Sequence, residues 1–191
     1  LNPFEKISET KLLLFGIAIT LFGSYLGFVF NGRFIGIFGF KTNDEVRIIQ
    51  SVLDNLIDLF SIALFLFLFG RIINKKTRFI DILIPSLIAR LPIYLQAFTN
   101  TNNYIADLSK SLLGKIDVKN PTAFQIETAD LAVLLLFAAI SIGLLVWSVI
   151  LLFKGFKIAT NCKTPNHTLL FATGIILAEL LSHALIHFIN Y

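Results

Sequence analysis

The sequence predicts an all-α protein that crosses a membrane five times and folds as a single domain over residues 1–191. Hydrophobic residues make up 56% of the chain and the mean hydropathy is +0.81, so a soluble domain of this length could not cover its apolar surface with polar groups. The apolar residues are grouped in five runs of roughly 20 residues, the length of a membrane-spanning helix. The runs do not alternate between polar and apolar residues, as the strands of a membrane barrel do.

The predicted spans are separated by charged or turn-forming segments, and they cover residues 11–30, 48–73, 79–98, 129–153 and 169–190. In the first span, Gly16, Gly23 and Gly27 form a ridge that would let another helix backbone approach closely. The segment 31–42 is rich in glycine and aromatic residues, and it is predicted to form a turn at the membrane interface.

The third span and the connection that follows it are less regular. Pro85 and Pro92 predict kinks or a break in the helix, where protein or water must satisfy the freed carbonyl groups. The connection, residues 99–128, contains apolar residues that share one helical face: Tyr104, Ile105, Leu108, Leu112 and Leu113. A short amphipathic helix is therefore predicted there, which either lies flat on the membrane or packs as a lid over the outer end of the bundle.

The distribution of positive charge predicts the orientation. Nine Lys and Arg residues flank the spans on the side of the N-terminus and six on the opposite side. Because short loops rich in Lys and Arg stay in the cytosol, the N-terminus is expected inside and the C-terminus outside. The net charge of +4 fits contact with anionic lipid head groups, so nucleic acid is not an expected partner.

Several ionisable residues lie well inside the predicted spans, where each is costly unless it has a partner. At about 1.5 Å per residue, the distance from the span ends puts Asp58, Arg90 and Glu179 at one depth. Asp54, His183 and His187 form a second layer nearer the outside. On the last helix, Glu179, His183 and His187 follow each other at intervals of four and share one face. These six residues are called the polar layer below.

We favour a structural interpretation of the polar layer. Arg90 would neutralise Asp58 or Glu179, and the two histidines would form hydrogen bonds between helices. No serine or cysteine stands out as a nucleophile beside the histidines, so no catalytic residue is predicted.

Two other interpretations of the same residues are open. In one, Glu179, His183 and His187, joined by Asp54 or Asp58, bind a divalent metal ion such as zinc, because imidazole and carboxylate groups suit that ion. In the other, the polar layer is a path for protons or ions.

Three stretches of the chain resemble the Ypt-interacting protein (YIP) family, in its bacterial branch. They are the opening NPFEKISETKLLLFGIAITLFGSYLGFVFNGRF, the segment DLFSIALFLFLFGRIINKKTRFIDILIPSLIARLPIYL over the second and third spans, and LVWSVILLFKGFKIATN at the end of the fourth. The resemblance implies five membrane helices in a protein of the bacterial cytoplasmic membrane, with a cytosolic N-terminus. For bacterial members it implies a fold and no particular activity.

The resemblance also bears on partners. Eukaryotic members bind small Rab-type GTPases, but their D-L-Y-G-P-type motif is matched only at Asp58–Leu59, so such a GTPase is not an expected partner. The expected function is non-enzymatic, through helix packing, lipid contact, or binding of a membrane-protein partner or a second copy. The alternative is a metal-dependent membrane enzyme or a metal- or proton-coupled transporter. Intramembrane metalloproteases that cleave prenylated proteins are disfavoured, because they need a Glu-Glu pair and histidines on separate helices.

Overall fold

The computed structural model describes residues 3–114 and 126–189, and helices dominate it. The helices are α1 Pro3–Lys6, α2 Glu9–Val29, α3 Ile48–Ile73, α4 Phe79–Ala89, α5 Leu91–Tyr94, α6 Tyr104–Gly114, α7 Thr128–Thr160 and α8 Pro165–Ile189. A 3₁₀ segment, Leu95–Asn103, lies between α5 and α6. In the described part of the chain, the strands β1 (Gly32–Arg33) and β2 (Lys41–Thr42) form one antiparallel pair.

Five stretches of the described residues are long and apolar enough to cross a membrane, which confirms the coarse fold: Glu9–Val29, Ile48–Ile73, Phe79–Gly114, Thr128–Thr160 and Pro165–Ile189. The predicted span 48–73 has the bounds of α3. The fourth helix is longer than predicted, with 33 residues that continue to Thr160. The predicted end of the fifth span, residue 190, lies outside the described residues.

The third span is broken near its prolines, as predicted. Pro85 is accommodated inside α4, which ends at Ala89. The break lies at Arg90, two residues before Pro92, because proline has no N–H group to donate to the carbonyl of Ile88 one turn earlier. The Ser148 hydroxyl of α7 donates a hydrogen bond of 2.5 Å to the Ala89 carbonyl, so protein satisfies the backbone at this break.

The amphipathic helix predicted in the 99–128 connection is α6, and its buried residues are Ile105, Ala106, Leu108 and Leu112. Tyr104 and Leu113 were predicted on the same face but are exposed, so the apolar face is narrower than predicted. The helix packs on the 3₁₀ segment, and Lys110 forms an ion pair with Asp44 of the α2–α3 connection. These contacts favour the lid over a helix lying flat. Residues 115–125 of the connection lie outside the described residues.

The segment between α2 and α3 differs from its prediction. A turn at the membrane interface was expected for residues 31–42, but Phe34 and Ile37 are 0% and 1% exposed. The pairing of β1 with β2 closes the base of this segment, and residues 34–40 between the strands enter the bundle. The prediction was wrong because hydropathy does not show whether loop backbone groups find partners inside a bundle. Residues 34–40 are called the re-entrant loop below.

Helix α3, which carries Asp54 and Asp58, lies at the centre of the bundle. It packs against α2, α4, α7 and α8, and its contact with α8 is the most extensive between any two of the described helices. At Gly23 of the predicted glycine ridge on α2, an added Cβ atom would overlap with the ring of Tyr94, so a side chain rather than a helix backbone lies against this glycine. Helix α7 is attached mainly to α4, so much of its surface is left uncovered.

Candidate functional site: a buried polar network

The centre of the site is Arg90, which lies at the break between α4 and α5 and is 1% exposed. Its Nη2 atom donates to Asp58 Oδ2 at 2.8 Å and to Asn55 Oδ1 at 2.9 Å. Its Nε atom donates to the Tyr94 hydroxyl at 3.0 Å. Its Nη1 atom donates to the carbonyl of Ile37 at 3.2 Å. Each nitrogen of the guanidinium group therefore has a partner, as a buried charge requires.

Asp58 of α3 has partners on two other helices. One carboxylate oxygen accepts from Arg90, and the other accepts from the hydroxyl of Ser182 on α8. Asp58 is 0% exposed, so both oxygens depend on these contacts. The sequence prediction that Arg90 neutralises Asp58 or Glu179 is confirmed for Asp58. A separate hydrogen bond, from Asn55 Nδ2 to Ser24 Oγ at 2.9 Å, extends the network to α2.

Asp54 forms its ion pair with Arg33, whereas Asp58 pairs with Arg90. Arg33 of β1 donates from Nε and Nη2 to the two oxygens of Asp54, both at 2.8 Å. The prediction that Asp54 lies at the depth of His183 and His187 did not include this contact with Arg33. Depth within the spans could not reveal this pair, because Arg33 follows the first predicted span. Its side chain reaches inward to Asp54, where the guanidinium group forms two hydrogen bonds with the carboxylate.

Glu179 does not contact Arg90, which was predicted to neutralise either Asp58 or Glu179. Its Oε2 atom accepts a hydrogen bond of 2.6 Å from the backbone N–H of Ile37, in the re-entrant loop. The carbonyl of the same residue accepts from Arg90. The N–H group of Ile37 is thus bound by a carboxylate, and its carbonyl group is bound by a guanidinium group. Since buried backbone groups need partners, these two side chains allow the loop to lie inside the bundle.

Gly36 makes this close approach sterically feasible. Its φ angle is +80°, a conformation that residues with a Cβ atom rarely adopt. An added Cβ atom would overlap with both Glu179 and His183. The turn of the loop therefore requires a glycine, and a larger residue would also displace the ends of these two side chains.

The histidine face of α8 is more open. Glu179 Oε1 and His183 Nδ1 are 3.4 Å apart, with side chains that are 31% and 52% exposed. His187 is exposed one turn further on, and its ring lies against Phe188. Within residues 3–114 and 126–189, no group of three or more His, Cys, Asp or Glu is placed to hold a metal ion. Asp54 and Asp58, predicted as further ligands, are turned to Arg33 and Arg90 instead.

Sequence reasoning missed several members of the network: Ser24, Arg33, Asn55 and Tyr94. Asn55 gave a usable signal, because it is an amide in an apolar span and stands beside Asp54. Arg33 gave none, because it follows the first span in a segment whose path the sequence does not reveal.

Comparison of the chain with family models, with curated proteins and with solved structures finds no match. The resemblance to the YIP family therefore stays a prediction, which the fold described above neither requires nor contradicts.

Proposed function

We propose that the chain is an integral protein of the bacterial cytoplasmic membrane, of YIP type, that acts by binding rather than by catalysis. The observation that carries this proposal is the internal matching of the central charges. Arg90 is matched by Asp58 and Arg33 by Asp54, while Glu179 accepts from the backbone of the re-entrant loop. Groups held in this way stabilise one structure, and a substrate would have to displace an internal partner to reach them.

The surface of α7 supports binding within the bilayer. In the most apolar 18-residue window of this helix, 6% of the residues are buried in the bundle. Leu135, Leu136 and Ile142 are 62%, 62% and 63% exposed. In water this surface would cost about 25 cal/mol for each Å² of apolar area, whereas lipid chains or another helix would cover it in a membrane. Lipid, a second copy of the chain or another membrane protein is the proposed partner.

A photoreactive amino acid at Leu135, introduced in intact cells, tests this assignment. A protein adduct of defined mass at this position would identify a second copy or another membrane protein as the partner. The matched control is Leu21 of α2, which is also 62% exposed and should give lipid adducts alone. Lipid adducts alone at both positions would contradict binding of a protein partner through α7.

The proposed orientation, with the N-terminus in the cytosol and the C-terminus outside, has its own test. A reporter fused after Tyr191 should be active only outside the cytosol, because the basic turns between α3 and α4 and between α7 and α8 remain inside. Activity in the cytosol would reverse the assignment.

A metal- or proton-coupled transporter, or a metal-dependent enzyme, is the second candidate. It is favoured by the pair of Glu179 and His183, because both side chains are accessible and either can exchange a proton. Elemental analysis of the purified protein tests the metal-dependent forms. Stoichiometric zinc, iron or manganese that is lost in His183→Gln and His187→Gln would favour this candidate over the first.

A further inference from the structure

A groove with a volume of about 820 Å³ lies where α7 ends and α8 begins. Two of its residues, Lys157 and Lys163, are exposed lysines on either side of the turn between the helices. Among the described residues neither lysine takes part in an ion pair. No acidic residue in the described part of the chain lines this groove, and Glu5 shares a neighbouring groove with both lysines. The positive charge at this groove is therefore not neutralised by its own lining.

The lining changes from polar to apolar along the helices. Lys157, Lys163 and Thr164 lie at the turn, and the 25-residue helix α8 begins there with the positive end of its dipole. Phe153 is one helical turn before Lys157, and Leu169 is one turn after the start of α8; both line the same groove. A ligand that fits has a negative group at the turn and an apolar part that extends towards the middle of the spans.

We propose that this groove binds an anionic phospholipid. Lys157 and Lys163 hold the phosphate of the head group, and one acyl chain lies along Phe153 and Leu169. The inference rests on the proposed membrane location, because the acyl chain reaches this groove from the bilayer. It adds a defined site and a ligand class to the general lipid contact of α7.

The apolar end of the groove distinguishes a lipid from a free phosphate compound. A soluble phosphate ester would use the two lysines and leave Phe153 and Leu169 uncovered. A zwitterionic lipid would cover them, but it carries no net charge to attract the lysines. Charge near a membrane surface changes lipid affinity about fivefold per lysine, so the two together give a preference that can be measured.

The experiment measures lipid binding to the purified full chain in mild detergent by native mass spectrometry. Phosphatidylglycerol and phosphatidylcholine with identical acyl chains are compared, and glycerol phosphate is added as a soluble competitor. We expect phosphatidylglycerol to bind at least about fivefold more tightly than phosphatidylcholine. Glycerol phosphate at the same concentration should not displace it, and displacement would overturn the lipid assignment.

The variants remove or retain the charge at the groove. The double variant Lys157→Gln with Lys163→Gln should bind both lipids equally, whereas Lys157→Arg with Lys163→Arg should keep the preference. The matched control is Lys75→Gln with Lys76→Gln, which removes two exposed lysines from the α3–α4 turn outside the groove. A preference that survives in the groove variant, or that falls equally in the control, would overturn the proposed site.

Failure of the site and failure of the membrane assignment give different results. Alkaline carbonate extraction of cell membranes should leave the parent chain and all three double variants in the pellet. A chain that is extracted contradicts the membrane assignment. A chain that stays in the pellet but has no lipid preference contradicts the groove alone.

Discussion

Helices α3 and α8 carry the same pattern, a pair of ionisable residues four positions apart, but the two pairs differ in burial and in partners. Asp54 and Asp58 on α3 are both 0% exposed, and each is held by an arginine. Glu179 and His183 on α8 are 31% and 52% exposed and are 3.4 Å apart. The difference follows from position, because α3 is surrounded by other helices whereas α8 packs mainly on α3. Identical spacing thus gives a structural core in one helix and an accessible face in the other.

The largest expected effect comes from Arg90→Leu, because it leaves Asp58 buried without its cation. We expect the free energy of unfolding to fall by about 3–5 kcal/mol. Adding Asp58→Asn should restore part of the loss, since the amide is neutral and still accepts from Ser182. Adding Glu179→Gln should restore none, since Glu179 does not contact Arg90. Thermal unfolding in detergent, followed by circular dichroism, measures each step.

A control separates this effect from the loss of any arginine. Arg78 forms ion pairs with Glu9 and Asp81 at the surface, and its side chain is 62% exposed. Arg78→Leu should lower the melting temperature far less than Arg90→Leu does, because solvent screens an exposed ion pair. Equal recovery of Arg90→Leu by Asp58→Asn and Glu179→Gln would show that the assignment of partners is wrong.

The second expected effect concerns the outer acid on α3. Asp54→Asn replaces one of the two acceptor oxygens with an NH2 group that cannot accept from Arg33, and it removes the charge from the other bond. It should cost about 1.5–3 kcal/mol, the range for hydrogen bonds to charged groups. A double-mutant cycle with Arg33→Gln, read out by the same thermal unfolding, should give a coupling energy above about 1 kcal/mol. Additive losses would mean that the pair does not stabilise the bundle.

A smaller loss of stability is expected from substitution of Glu179 on α8. Glu179→Leu removes the acceptor for the N–H group of Ile37 and should cost about 1–2 kcal/mol. Glu179→Gln keeps an acceptor oxygen and should lose at most about half as much. Limited proteolysis of the 31–47 segment gives a second measurement, with faster cleavage in Glu179→Leu. Equal losses in the two variants would show that the carboxylate does more than accept this hydrogen bond.

The smallest effect is expected at His187. His187→Gln alters an exposed side chain and should change the unfolding free energy by less than about 0.5 kcal/mol. Neither a chelator nor added zinc should shift the melting temperature of the parent chain. A fall in melting temperature with chelator, abolished in both His183→Gln and His187→Gln, would replace the structural interpretation of this face with a metal site.

The positions of the spans could be predicted because hydrophobic length is a local property, and 48–73 agrees with α3 at both ends. An ion pair of Arg90 with either Asp58 or Glu179 could also be predicted, because helix rise places all three at one depth, but the choice between the two acids could not. The partners of Asp54 and Glu179 could not. Both depend on the α2–α3 connection, whose entry into the bundle is determined by contacts between distant parts of the chain. Glycine and aromatic residues suit an interfacial turn and an inserted loop equally well.

The backbone of Ile37 has a consequence for synthesis of the chain. Residue 37 belongs to the α2–α3 connection, whereas its acceptor Glu179 is on α8, 142 residues later in the chain. Ser182, which donates to the second oxygen of Asp58, is also on α8. Until α8 has been made and inserted, the N–H group of Ile37 and this oxygen of Asp58 lack these partners. Closure of the bundle thus waits for α8, and in the meantime neighbouring lipid, water or an insertion factor must satisfy the two groups.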